Sequence, residues 1–173
     1  MLSQKVIDAI RVVKDFPKEG VLFRDITPVL GDYELFGEVI DEMEKILKSY
    51  NIDTILGLES RGFFFACALA ERMKVNFVPV RKPGKLPYKT FEEEYQLEYG
   101  KGKVFIHQDA IKPGANVAIV DDVLATGGTI NAAINLVERF GIEPKVALIF
   151  MEIEEIDGRS TITKCPCEVL LKI

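Results

Sequence analysis

Apolar residues fall into short blocks of changing period along this chain. Val6, Ile7, Ile10 and Val13 recur at helical spacing behind Ser3, a candidate N-cap, and predict a short amphipathic helix ending near Phe16 and Pro17. Gly20 to Pro28 reads as a loop or short extended piece. Asp32 then stands as N-cap of a long helix whose stripe is Phe36, Val39, Ile40, Met43, Ile46, Leu47 and Tyr50. Thr54 to Leu58 is a continuous apolar run, the mark of a buried strand, and Glu59 to Gly62 turns it into a helix over Phe63 to Met73. Val75 to Arg81 gives a second strand. Asn116 to Val123 is apolar on both faces and gives a third, followed by a glycine-rich turn and a helix over Thr129 to Phe140. Gly141 stops that helix, Lys145 to Glu152 forms the next strand, and Glu168 to Lys172 adds an edge strand.

Strands alternating with helices of this length predict an α/β fold with a mainly parallel central sheet flanked by helices. No linker or internal repeat divides the chain, so residues 1–173 read as one domain. Lys82 to Gln96 fits no period. It holds Pro83, Gly84, Pro87 and three consecutive glutamates, and is too long for a routine connection. It reads as a functional lid, with a surface loop of no special role as the alternative. Leu97 to Tyr99 and Lys103 to Ile106 are placed to form a hairpin around Gly100 and Gly102.

Composition narrows the function. Lys and Arg number 22 against 27 Asp and Glu, a net charge of −5. That argues against a dedicated nucleic-acid binder but leaves room for a local phosphate site. Three cysteines (Cys67, Cys165 and Cys167) form no disulfide framework, and a single histidine, His107, provides no His-pair metal site. None of these four is expected to carry catalysis. The longest strongly apolar run, Gly62 to Ala70, is far shorter than a membrane span, and Met1 to Lys14 lacks the apolar core of a signal peptide. The expectation is a soluble cytoplasmic protein with no membrane partner.

The chemistry concentrates in Val117 to Thr129, read VAIVDDVLATGGT. A helix N-terminus offers unpaired N–H groups and partial positive charge, and paired glycines let the backbone curl around an anion. Thr126 and Thr129 add hydroxyl donors. Asp121 and Asp122, just ahead of the turn, would repel a phosphate in contact but suit the two hydroxyls of a ribose. Phosphate on the turn and a diol on the acids describe a ribose 5-phosphate. Two rival readings stay open on the residues alone: an ordinary strand-to-helix turn with solvated acids, and an Asp pair holding Mg²⁺. The Mg²⁺ reading leaves the Ala125 to Thr129 turn unexplained.

The thirteen-residue run resembles the phosphoribosyl pyrophosphate (PRPP) binding motif of type I phosphoribosyltransferases. Three further segments resemble the adenine phosphoribosyltransferases of that family. Phe16 to Pro28 (FPKEGVLFRDITP) is similar to their base-binding segment, and Gly57 to Phe63 (GLESRGF) to their pyrophosphate loop. Arg81 to Pro87 with Leu97 to Gly100 is similar to the two ends of their lid. The matches are collinear and thin out after Ile153. Glu19 stands where the family often has proline, and the middle of the lid, Tyr88 to Tyr95, is unusually acidic.

The resemblance implies a type I phosphoribosyltransferase-like fold with a small hood segment of about residues 1–30 and a mobile lid of about residues 82–97. It implies that Asp121 and Asp122 hold the ribose hydroxyls, and that Ala125, Thr126, Gly127, Gly128 and Thr129 hold the 5-phosphate. Ser60, Arg61, Arg81 and Lys85 would bind pyrophosphate, in a loop that in the family contains a non-proline cis peptide. Adenine would stack on Phe23 and be read by main-chain groups of Leu22 and Arg24. Arg61 and Glu98 would be catalytic, Glu98 handling the purine proton, and Tyr99 would pack in the lid. Mg²⁺ is the implied cofactor, held mainly by PRPP and water rather than by protein ligands. The implied reaction joins adenine N9 to the ribose of PRPP, giving AMP and pyrophosphate for purine salvage in a homodimer. The alternatives are a phosphoribosyltransferase for xanthine or another 6-oxopurine, and a PRPP-sensing regulator.

Overall fold

Strand order places the chemistry before any side chain is considered. The computed structural model describes residues 2–96 and 100–173. Its main sheet has five parallel strands in the order β4-β3-β7-β8-β9. These are β3 (Thr54–Leu58), β4 (Asn76–Val80), β7 (Val117–Leu124), β8 (Val146–Glu152) and β9 (Cys167–Lys172). From β3 the chain moves outward through α4 (Gly62–Met73) to β4. From β7 it moves the opposite way through α5 (Gly128–Glu138) to β8. The order therefore reverses between β3 and β7, and in such sheets the crevice at the carboxyl ends of the diverging strands receives ligands.

The chain divides into two compact units, Met1–Glu42 and Met43–Ile173. In the second unit, alternate residues of each central strand face opposite layers, as the two-residue strand period requires. Leu56, Leu58, Val117, Ile119, Ala147 and Ile149 pack with Ile130, Ala133, Ile134 and Val137 of α5 in one fully buried cluster. From α4, Phe65 stacks on Phe150 of β8 with ring centroids 5.3 Å apart.

The first unit contains α1 (Gln4–Ala9), β1 (Arg11–Lys14), β2 (Leu22–Asp25), α2 (Thr27–Leu30) and the start of α3 (Tyr33–Lys48). Helix α1 stops earlier than the periodicity predicts. Residues 11–14 pair antiparallel with β2 instead, Val13 opposite Phe23 and Lys14 opposite Leu22. Cross-strand partners outweigh the helical spacing of Ile10 and Val13, because a four-residue extension with valines at its centre suits a strand. Asp32 caps α3 as expected, its Oδ1 accepting from Glu34 N–H at 2.9 Å and Leu35 N–H at 3.1 Å.

The largest correction concerns Lys82 to Gln96. Its second half is β5 (Thr90–Gln96), paired over its full length with β6 (Lys101–His107). This hairpin takes its first strand from 90–96; residues 97–99, where the expected one began, lie outside the described residues. One face of β5 carries Phe91, Glu93 and Tyr95 toward α5 and the residues just after it. Phe91 meets Phe140 edge-on at 5.3 Å, and Glu93 Oε1 accepts from Arg139 Nη2 at 2.6 Å and Nε at 3.0 Å. Glu92 and Glu94, on the other face, pair with Lys103 and Lys101 across the hairpin. Consecutive glutamates hide this alternation in the sequence, since two of the three pair across the hairpin and the third is taken up by an arginine.

Candidate active site at the switch between β3 and β7

Two loops meet at the crevice. One follows β3 (Glu59 to Arg61) and the other follows β7 (Ala125 to Gly127). Each leads into a helix N-terminus, so two sets of unpaired N–H groups stand at the carboxyl edge of neighbouring strands. In the β7 turn, Gly127 has φ +79°, a left-handed conformation that favours glycine, and caps α5. Thr126 Oγ1 lies 3.5 Å from the Gly128 nitrogen. The glycine-rich turn into a helix thus stands where the sequence places it.

The β3 loop carries Ser60, which is exposed, and Arg61, which is part-buried. The Glu59–Ser60 peptide is cis, as the resemblance implied. Arg61 Nε lies 2.9 Å from Asp122 Oδ2, tying this loop to the acids at the end of β7. Asp122 is almost wholly buried and Asp121 partly so; Asp121 Oδ1 accepts from the Asp122 backbone N–H at 2.9 Å. Burial pushes the Asp121 carboxyl well above the usual carboxylate range, and the Asp122 charge adds to the rise. Burial also raises Asp122, with Arg61 pulling against it. Two adjacent carboxylates with little solvent are costly when unpaired. Neutral hydroxyl donors would relieve them by hydrogen bonding.

Arg81, expected to bind pyrophosphate, directly follows β4 and is held by neighbours on several sides. Its Nε donates to Glu59 Oε2 at 3.0 Å, its guanidinium lies 5.7 Å from the Phe63 ring centroid, and its backbone bridges to Phe105. Glu59 also accepts the Lys82 N–H at 2.7 Å. Burial alone would raise the Glu59 carboxyl, but these two donors outweigh it and hold the group below its ordinary value. Glu59 thus holds the Arg81 side chain and the Lys82 backbone, contacts that the sequence reading passed over. Lys85 is exposed on the segment after β4. Glu98 and Tyr99 fall outside the described residues.

In the first unit, Phe23 packs edge-on against Phe16 with centroids 5.0 Å apart, next to the cis Phe16–Pro17 bond. Leu22 is half-exposed. Leu22 and Arg24 sit two apart on β2, so their main-chain groups point to one strand edge, where a planar base can meet both.

Among the described residues no cluster of three His, Cys, Asp or Glu could cage a metal. A Mg²⁺ ion at this crevice would therefore take its oxygen ligands mainly from a bound phosphorylated ligand and water. Burial pushes the Cys165 thiol up to about 11 and raises Cys67 and Cys167, which disfavours their thiolate forms. No helix of the described residues is long and apolar enough to cross a membrane.

The phosphoribosyl transferase domain model matches residues 32–169. An adenine phosphoribosyltransferase from Brachyspira hyodysenteriae is 48% identical over 165 residues, covering 95% of this chain and 97% of its own. The crystal structure of adenine phosphoribosyltransferase from Thermoanaerobacter pseudethanolicus superposes with a TM-score of 0.95 at 45% identity, covering 98% of this chain and 99% of that one. The Saccharomyces cerevisiae enzyme, solved with an imino-altritol bisphosphate and adenine, gives 0.90 at 41% identity, covering 96% and 97%.

Proposed function

Since the chain belongs to the phosphoribosyl transferase family, among its adenine phosphoribosyltransferases, we propose that it transfers the ribose 5-phosphate of PRPP to N9 of adenine with Mg²⁺, yielding AMP and pyrophosphate. The observation that carries this reading is the contact of Arg61 with Asp122 at the β3–β7 switch. It puts the loop suited to a pyrophosphate beside the acids suited to a ribose, one turn from the helix N-terminus suited to a 5-phosphate.

The N9–C1 bond forms as the C1–oxygen bond to pyrophosphate breaks, and the N9 proton leaves. Positive charge grows on the ribose while the departing group gathers negative charge. The α5 N-terminus and the Ala125 to Thr129 turn fix the phosphate end. Asp121 and Asp122 accept from the ribose hydroxyls, and acidic groups beside the sugar favour positive charge on it. Ser60, Arg61, Arg81 and Lys85 bind and neutralise the leaving group, with Glu59 bracing Arg81. When bound, chiefly through PRPP and water, Mg²⁺ would add positive charge against the diphosphate. Glu98 takes the purine proton, and the part of the lid that precedes β5 closes with Tyr99 over the site to exclude water.

Adenine is read through fixed main-chain polarity. Its 6-amino group needs a carbonyl and its N1 an N–H. A 6-oxopurine reverses both and leaves buried groups unpaired, a mismatch worth ~10⁴-fold or more. The product suits purine salvage, and the family resemblance suggests a cytoplasmic homodimer. Pyrophosphate release with PRPP and each of adenine, hypoxanthine, guanine and xanthine, with Mg²⁺ or with chelator, tests the reading. Release with adenine and Mg²⁺ alone is expected. A 6-oxopurine within tenfold of adenine makes this a 6-oxopurine enzyme, and no release with any base leaves a PRPP-sensing role.

A further inference from the structure

The stretch after β8 lies beyond the point where the motif resemblance thins, yet it backs directly onto the phosphate turn. Two 3-10 turns follow β8, Glu154–Ile156 and Gly158–Thr161. Gly158 is buried, and a side-chain carbon there would come 1.8 Å from the Ala125 carbonyl oxygen and 2.8 Å from the Thr126 carbonyl carbon. A side-chain carbon on Gly127 would meet Thr161 Oγ1 at 2.3 Å and the Gly158 oxygen at 2.7 Å. The two backbones are in contact through paired glycines, with no room for a methyl on either side.

Thr161 is held in that contact from two directions. Its hydroxyl donates to the Gly158 carbonyl at 2.7 Å and accepts from Asn131 Nδ2 at 3.1 Å. Asn131 stands in the first turn of α5, and its own N–H donates to the Gly127 carbonyl at 2.9 Å. The 3-10 segment is in turn anchored to the sheet. Arg159 Nη2 donates to the Cys167 carbonyl of β9, and Arg159 Nη1 lies 3.6 Å from Glu152 Oε2, a buried carboxylate at the end of β8. A chain of contacts thus runs from the ends of β8 and β9, through Arg159, to the back of the Ala125–Gly127 turn.

We propose that Gly158 and Thr161 are positioning residues that hold the Ala125–Gly127 turn in its anion-binding shape and so set affinity for the 5-phosphate. This rests on the reading of that turn as the 5-phosphate site. The physical reason is preorganisation. A left-handed turn presenting backbone N–H groups binds an anion well only if its shape is set before the ligand arrives. Neither residue touches the ligand. Both act through the backbone of Ala125, Thr126 and Gly127.

The test is calorimetric binding of ribose 5-phosphate, which carries the phosphate without the diphosphate, to the full chain and to Thr161→Ser, Thr161→Val and Gly158→Ala. Adenine binding and the PRPP KM and kcat are measured in parallel. Thr161→Ser keeps the hydroxyl and should bind within about twofold of the parent. Thr161→Val loses one hydroxyl network, and ~1 kcal/mol corresponds to ~5-fold weaker binding. Its PRPP KM should rise with kcat and adenine affinity little changed. Gly158→Ala should lose tenfold or more; if it does not fold, the Thr161 pair decides. Thr161→Val equal to the parent, or losing adenine affinity in the same proportion, overturns the proposal. A parent that fails to bind ribose 5-phosphate overturns the reading of the turn itself, whatever the variants do.

Discussion

Gly62 has no side chain because Asp121 occupies its space: a carbon there would lie 2.7 Å from Asp121 Oδ1 and 3.0 Å from the Val120 carbonyl. The first residue of α4 and the first acid of the Asp121–Asp122 pair are therefore fitted to each other. Gly62→Ala must displace either the carboxylate or the helix start. Overpacking of this kind costs roughly 1–3 kcal/mol. We expect a lower denaturation midpoint and a kcat/KM at least tenfold below the parent. Unchanged kinetics in this variant would mean that the Gly62–Asp121 contact does not set the acid's position.

Asp121 carries a raised carboxyl, so the folded state binds its proton more tightly than the unfolded state does. Its contribution therefore opposes folding as pH climbs from the ordinary carboxylate range through the raised value. Asp121→Asn removes that charge and keeps an oxygen for the Asp122 N–H. Thermal melts at neutral pH should show Asp121→Asn more stable than the parent, with the gap closing as pH falls. Activity should move the other way. Losing a charged hydrogen bond of ~1.5–3 kcal/mol lowers kcat/KM roughly ten- to a hundredfold. A double Asp121→Asn, Asp122→Asn protein with near-normal turnover would remove the acids from the mechanism.

Phe23 and Leu22 differ in what they offer a base. Phe23→Ala deletes the ring, and base stacking on an aromatic is worth ~1–3 kcal/mol. Adenine KM should rise about fivefold or more. Leu22→Val leaves the main chain in place and should barely alter the preference for adenine over hypoxanthine. Steady-state kinetics with both bases separate the two effects.

Lys82, Lys85 and Lys89 are exposed on the segment before β5, whereas β5 itself is paired and anchored on α5. Trypsin should cut the free protein after Lys85 and Lys89, the Lys82–Pro83 bond being resistant, and be slowed severalfold when a PRPP analogue and adenine are both bound. Unchanged cleavage under saturating ligands would leave the segment a surface loop. Glu98→Gln should slow the single-turnover rate more than it weakens PRPP binding, as read by rapid quench.

What the sequence determined alone was the part of the molecule whose causes are local in the chain. Thr54 to Leu58 and the apolar run ending at Asp121 are buried on both faces, so their composition names them as central strands. Asp32 and the glycines of the β7 turn announce helix starts through the capping groups and φ values that those positions need. The order of the segments then sufficed for a resemblance spanning the base, pyrophosphate and phosphate motifs.

Tertiary structure decided whatever depends on a partner distant in the chain. Thr90 to Gln96 became a strand because Phe140, Arg139 and Gly128 receive Phe91, Glu93 and Tyr95, and Lys103 and Lys101 pair with the glutamates between them. Arg81 was turned onto Glu59, 22 residues away, instead of standing toward solvent. Gly158 and Thr161 reached the phosphate turn from more than thirty residues downstream. The Asp157-Gly158 pair marks a turn in sequence but not what that turn rests against. A residue's own chemistry is written at its position, whereas the space and charge that surround it are set by which strands the sheet brings side by side.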